Sequence, residues 1–315
     1  MTDPRPREVE HEITVSAPAA EVYRLIAEVE NWPRIFPPTI YVDHIERSAG
    51  EELIRIWATA NGEAKNWTSR RVLDPEAMRI TFRQQVSTPP VATMGGTWII
   101  EPLSATESRI RLLHDYTAVD DDPAGLAWID EAVDRNSRSE LAALKTNVER
   151  VTAAAELAFS FEDTVEIAGS AKDVYDFINE AGHWSERLPH VAVVRLTEDT
   201  PGLQTLEMDT RAKDGSVHTT KSYRVCLDGD RIAYKQTTLP ALMDLHTGVW
   251  TFRETGAGTV EATSQHTVVI RAENIGKILG PEADAAQAKE YVQGALSTNS
   301  RATLGHAKDY AEARR

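Results

Sequence analysis

Trp67, Ser69 and Arg71 alternate with Thr68, Arg70 and Val72 in the run KNWTSRRVL. Successive side chains of a strand point to opposite faces, so an indole, a hydroxyl and a guanidinium share one face. A lone charge taken out of water is costly, which leaves two readings. In one, the face lines a cavity that holds some water between aromatic walls. Arg71 then offers several N–H donors to a carbonyl, an enolate or a phosphate. In the other, the strand is an edge, and Arg71 stretches its stem over Trp67 with its head in solvent. His114, in SRIRLLHDYTAV, adds a ring that is either a proton shuttle near neutral pH or a structural hydrogen-bonder. It shares a strand face with Ile110, Leu112 and Tyr116.

These features occur twice, because the chain is written twice. At an offset of 152, VYRLIAEVENWPRIFP (22–37) aligns with VYDFINEAGHWSERLP (174–189), RITFRQ (79–84) with RIAYKQ (231–236), GTW (96–98) with GVW (248–250), and His114 with His266. SRRV (69–72) meets SYRV (222–225) at 153, which implies a one-residue insertion in an upstream turn. NSRSELAALK (136–145) meets NSRATLGHAK (299–308) at 163. The second copy therefore carries about eleven extra residues before its closing helix, in the region of the helical-looking NIGKILG and EADAAQAKEYVQ. It keeps Trp184, Ser222, Arg224, Trp250 and His266, but has Leu188 for Phe36, Thr220 for Trp67 and His246 for Met94. Its lining is expected to be less aromatic and more polar. The junction ERVTAAAELAFSFED places the expected domains at 1–157 and 158–315.

Each copy reads as a strand (EHEITVS), a helix (AAEVYRLIAEV) with Val22, Leu25, Ile26 and Val29 at helical spacing, and a Trp-Pro loop. Six further strands follow: YVDHIERS, ELIRIWATA, KNWTSRRVL, MRITFRQQV, GGTWIIEPL and SRIRLLHDYTAV. Their turns are SAGEE, NGE, DPEA and PLSATES. A long helix carrying Leu126, Ile129, Val133, Leu141, Leu144 and Val148 closes the copy. The acidic run Asp120–Asp122 before it suits a solvated helix start. This order is an α+β plan, with a sheet curling round the last helix to leave a cleft. Trp32 and Phe36, in the loop after the first helix, are either a plug at the mouth of the fold or a ligand contact. Trp98 and its repeat Trp250 read as core side chains.

Composition narrows the function classes. The 315 residues carry 34 Lys and Arg against 49 Asp and Glu, net −15, with no basic block to hold nucleic acid or anionic lipid. No apolar run is long enough for a membrane span, and the start MTDPRPREVEHEITV has no signal-peptide core. Cys226 is the single cysteine, so no internal disulfide forms, and a cytosolic location is expected. The nine histidines form no HxH or HExxH pattern, and no GxGxxG, GxxxxGK[ST] or GxSxG occurs. Neither a metal nor a cofactor is expected.

ENWPRIF (30–36), NWTSRRV (66–72), the TW of GGTW and the His-Asp-Tyr strand at 114–116 resemble the aromatase/cyclases of bacterial aromatic polyketide synthases. Those enzymes belong to the START/Bet v 1-like, helix-grip superfamily, and two copies across the chain resemble its di-domain branch. The resemblance implies a cofactor-free cyclase and dehydratase. Its substrate would be a poly-β-ketone, ketoreduced beforehand, on the phosphopantetheine arm of an acyl carrier protein, with the ketosynthase and ketoreductase of the pathway as further partners. It implies a pocket formed by Trp32, Phe36, Trp67, Gln85, Met94 and Trp98, with Arg71, Ser69 and His114 as the catalytic set. In the second copy the corresponding lining is Trp184, Thr220, Ser222, Arg224, His246, Trp250 and His266. Two positions depart from the family: Thr39 stands where it has a tyrosine, and Gln85 where it often has a second arginine. The competing class is a non-catalytic tandem carrier of a lipid or polyphenol in the same cavity. A third is a chaperone-binding adaptor that uses the outer surface.

Overall fold

The computed structural model describes residues 6–60, 63–211, 215, 217–256 and 258–315. The chain forms two compact units, Met1–Ala153 and Ala154–Arg315. In the first, β1 (Arg7–Val15) leads to α1 (Ala19–Ala27) and α2 (Trp32–Ile35). Then come β2 (Thr39–Ser48), β3 (Glu51–Ala60), β4 (Glu63–Asp74), β5 (Arg79–Gln84), β6 (Val91–Pro102), β7 (Ser108–Ala118) and the long α3 (Pro123–Ala153). Among the described residues these strands form one seven-stranded sheet in the order β1-β7-β6-β5-β4-β3-β2. All pairings are antiparallel, and β1 pairs with the last strand, not the next one.

Alternation along the strands decides what packs. On β7, Ile110, Leu112, Tyr116 and Ala118 are buried, and on α3 Ile129, Val133, Leu141, Leu144 and Val148 form the buried stripe. Together with Ile80, Trp98 and Ile100 they make the core between sheet and helix. Each such side chain stabilises the fold by about 1.5–3 kcal/mol. The expected α+β plan is the one the chain adopts.

The second unit repeats the order. Its elements are β8 (Ala158–Ala168), α4 (Ala171–Asn179), α5 (Trp184–Arg187), β9 (Val191–Thr200), β10 (Leu203–Arg211), β11 (Val217–Leu227), β12 (Arg231–Thr238), β13 (Met243–Gly256) and β14 (Thr259–Ile270). It ends in α6 (Ile275–Leu279) and α7 (Ala285–Glu312). Its sheet order, β8-β14-β13-β12-β11-β10-β9, matches the first.

Three details differ from the sequence expectation. Val29 lies beyond α1, buried in a 3-10 turn at Val29–Asn31. The Trp-Pro segment is helical, as α2, because a proline in the first helical turn gives up no hydrogen bond. EADAAQAKEYVQ and NSRATL run through one helix, α7, opened by a capping box between Asp284 and Gln287. The extra residues of the second copy thus supply α6 and the first turns of α7, and Ile275, Ala288 and Val292 pack on Leu242, Met243, Val268 and Ile270. Asn61 and Gly62 of the expected NGE turn lie outside the described residues, as does most of the corresponding β10–β11 turn. Among the described residues no helix is long and apolar enough to cross a membrane.

Candidate active site

The β3–β4 register sets Arg71 opposite Glu52, and both are buried, at 1% and 2% exposure. Arg71 Nη1 lies 2.8 Å from Glu52 Oε1. The contact is an off-axis ion pair, since neither atom has a well-aligned hydrogen-bond partner. Arg71 Nη2 donates to the carbonyl oxygens of Ile26 at 2.9 Å and Ala27 at 3.3 Å. These are the last carbonyls of α1, which no helical N–H reaches and which form the negative end of its dipole. The guanidinium also lies 5.0 Å from the Trp32 ring, whose Nε1–H donates to the same Ile26 oxygen at 2.9 Å. Burial lowers the Arg71 pKa to about 10 against the pull of Glu52, so the group stays charged at neutral pH.

Arg71 is therefore buried but not free: a carboxylate and a helix end occupy its head. The aromatic partner is Trp32, while Trp67 packs beside Val29, Val42, Ile54 and Ile56. Buried Ser69 donates to Arg83 O at 3.4 Å. Phe36 bridges Trp32 (ring centroids 5.4 Å apart) and Trp98 (6.1 Å), and both Phe36 and Trp98 are buried in the core. Half-buried Met94 packs with Tyr116 and Val133. His114 meets the edge of Phe82 and the Ser137 hydroxyl of α3 at 3.5 Å. Burial, helped by nearby His11, lowers its pKa to about 4.

Gln85 does not join this group. Its side chain is exposed, with the amide on Arg83 O at 3.4 Å. The inward face of β5 carries Ile80, Phe82 and Gln84, so the residue after Gln84 points away. Sequence reasoning also passed over Glu140. It follows Ser137 by one turn on the buried stripe of α3 and has no hydrogen-bond partner among the described residues. Its side chain is half-buried by area yet densely surrounded, and burial raises its carboxyl pKa to about 7.

In the second unit all seven residues singled out from the sequence, Trp184, Thr220, Ser222, Arg224, His246, Trp250 and His266, line one cavity of about 120 Å³. Thr303, the repeat of Glu140, lines it too. A wider, open depression along α7 at Lys289, Glu290 and Arg301 shares no residue with it. Arg224 repeats the geometry of Arg71: Nη2 donates to Ile178 O at the end of α4, 2.6 Å away, and the guanidinium sits 5.1 Å from the Trp184 ring. Its cross-strand partner, however, is Gln204, whose Oε1 accepts from Nη1 at 2.7 Å. The carboxylate has become a neutral amide, so the charge in this cavity wall is uncompensated at contact distance.

Tyr234 and Gln236, on the inward face of β12, complete a buried polar row. His266 Nε2 lies 2.7 Å from Ser300 Oγ, which also reaches Leu296 O at 3.0 Å, and 3.0 Å from Ser264 Oγ. His246 Nδ1 donates to Gln236 Oε1 at 2.9 Å. His246 Nε2 therefore carries no proton, and it lies 2.9 Å from His266 Nδ1. The Tyr234 hydroxyl lies 3.2 Å from the first and 3.0 Å from the second. Burial lowers the pKa of His246 to about 3 and of His266 to about 4, and it raises the Tyr234 phenol above its ordinary value. All three groups rest neutral. The glycine of GVW makes this possible: a Cβ on Gly248 would stand 2.5 Å from the Tyr234 hydroxyl. Tyr234 was visible in the alignment of RITFRQ with RIAYKQ, as the hydroxyl that separates it from Phe82.

Comparison with known proteins places this geometry in context. The family model "Polyketide cyclase / dehydrase and lipid transport" matches residues 6–149 and again 158–312. The chain is 60% identical to the granaticin polyketide synthase bifunctional cyclase/dehydratase of Streptomyces virginiae, over 94% of this chain and 97% of that one. It is 43% identical to the actinorhodin polyketide synthase bifunctional cyclase/dehydratase of Streptomyces coelicolor, over 98% of each chain. Among solved structures, the di-domain ARO/CYC BexL superposes with a TM-score of 0.92 at 68% identity, covering 98% of this chain and all of its own (100%). The di-domain ARO/CYC StfQ superposes at 0.87 and 34% identity, covering 97% and 99%.

Proposed function

The chain belongs to the polyketide cyclase/dehydrase and lipid-transport family, and we propose that it closes and dehydrates the first ring of a poly-β-ketone held on an acyl carrier protein. The observation that carries this reading is Arg224, a buried guanidinium in the wall of a cavity, beside Ser222 and two histidines and without a carboxylate partner. Protons between two carbonyls are already acidic, so ring closure needs little base strength. It needs one carbon held against one carbonyl, and fixed donors where negative charge develops on the enolate or alkoxide. Arg224 and Ser222 have that chemistry.

In the first unit, Trp32, Phe36 and Trp98 pack on one another, with Phe36 and Trp98 buried, and Arg71 is paired with Glu52. A cavity of about 120 Å³ in the second unit is small beside the roughly 300–1,000 Å³ of pockets that enclose whole ligands. It suits the reacting end of a chain whose remainder stays on the phosphopantetheine arm. The carrier protein, ketosynthase and ketoreductase of one pathway are the partners this chemistry requires, in the cytoplasm. A carrier of apolar ligands would gain nothing from a polar row of two histidines, a tyrosine and an arginine.

The test is product analysis of a reconstituted minimal synthase with ketoreductase, with and without this protein. An aromatised first ring that depends on the protein and is lost in Arg224→Ala is the expected result. An unchanged product profile with folded protein would overturn the reading and favour the carrier.

A further inference from the structure

The Tyr234 hydroxyl, His246 Nε2 and His266 Nδ1 form a closed triangle of polar atoms at 2.9–3.2 Å, in the cavity of one repeat alone. The first copy has Phe82 and Met94 at the places of Tyr234 and His246. Building on the cyclase/dehydratase reading, we infer that Tyr234 and His246 are the acid and base of the dehydration, which assigns that step to the second unit.

The geometry fits an elimination that creates no net charge. His246 Nε2, which carries no proton, takes one from the carbon between the carbonyl and the carbinol. The electron pair of that C–H bond becomes the new C=C bond, and the C–O bond breaks with its pair on oxygen. Tyr234 gives its hydroxyl proton to that oxygen, which leaves as water. The proton on His246 then crosses 3.2 Å to the phenolate oxygen, and both groups return to their starting forms. Imidazolium and phenolate exist only side by side, as a pair, which suits a site where burial penalises any isolated charge. His266, fixed through Nε2 by Ser300 and Ser264, sets Nδ1 3.0 Å from the Tyr234 hydroxyl and holds it in place. Gly248 clears the space the hydroxyl occupies. This arrangement also explains why the second copy exchanges an aromatic lining for a polar one.

The repeat supplies the test variants. Tyr234→Phe and His246→Met install residues that the first copy carries at the same positions, so both are expected to fold, as checked by thermal unfolding. In the reconstituted synthase each should slow dehydration about 100-fold, the usual scale of general acid–base help, and far more than it slows ring closure. A cyclised product heavier by one water should accumulate. Dehydration at the wild-type rate in both variants, with the wild type still active, would overturn this inference and leave the proposed function standing. Equal loss of cyclisation and dehydration would also overturn it, because the triangle would then serve the cavity as a whole. A wild-type protein that yields no aromatised ring would remove both readings.

Discussion

Arg71 Nη1 and Glu52 Oε1 stand 2.8 Å apart on neighbouring strands, and the second copy keeps the arginine while exchanging the carboxylate for the amide of Gln204. The same scaffold therefore holds one guanidinium in direct contact with a carboxylate and one separated from the Glu198 carboxylate by the Gln204 amide. That amide donates to Glu198 at 2.8 Å, and the two guanidinium groups should respond differently to mutation.

Arg71→Ala leaves the buried Glu52 carboxylate with His44 Nε2, 2.9 Å away, as its remaining partner, and breaking a buried pair costs up to about 3–5 kcal/mol. Arg224→Ala strands only an amide and a helix carbonyl, a loss of about 1–3 kcal/mol. Urea unfolding of the full chain should show the larger loss for Arg71→Ala, with part of it recovered when Glu52→Gln is added. Equal losses, or no recovery, would show that the stranded carboxylate is not the cause.

The cavity histidines make the second unit sensitive to acid. Burial depresses both, His246 to about 3 and His266 to about 4, below the unfolded value of about 6.5. Groups of this kind contribute stability that is present above the unfolded pKa and lost as pH falls through the folded one. The unfolding midpoint should drop as pH falls from about 6.5 towards 4, and His246→Met should flatten that slope. NMR titration should find both rings neutral at pH 5; a ring that titrates near 6.5 would contradict the assigned burial.

Glu140 has the opposite sign. Burial raises its carboxyl to about 7, so the wild-type fold is least penalised below the unfolded carboxylate pKa and loses stability as pH rises through 7. Glu140→Gln should match wild type near pH 4 and exceed it at pH 8 in thermal unfolding. A variant that is less stable at pH 8 would mean the ionised carboxylate has a favourable partner.

Gln85→Ala should be silent, within about 0.5 kcal/mol in stability and without effect on the product profile, because its side chain faces solvent. A changed product would place that face in contact with substrate or carrier protein.

The repeat and the order of strands and helices along each copy were legible in the sequence, because alternation and a constant offset survive without knowledge of contacts. Partners across strands were not. Glu52 meets Arg71 only through the β3–β4 register, which the residues between them do not announce. Gln85, which the resemblance put in the pocket, follows Gln84 at the end of β5, and one step along a strand moves a side chain from the inner to the outer face. Tyr234 differs from Phe82 by one oxygen, and its value appears only when His246 and His266 arrive from β13 and β14.

The carbonyl of Ile26 accepts from both Arg71 and Trp32, and Trp32 touches Phe36. Helix end, guanidinium and aromatic cluster are thus moored to one backbone atom. An arginine that already secures a helix cannot swing away without casting the aromatic cluster loose. Substitutions at Trp32 and Arg71 will therefore fail to add, and each will read out as a change in the other.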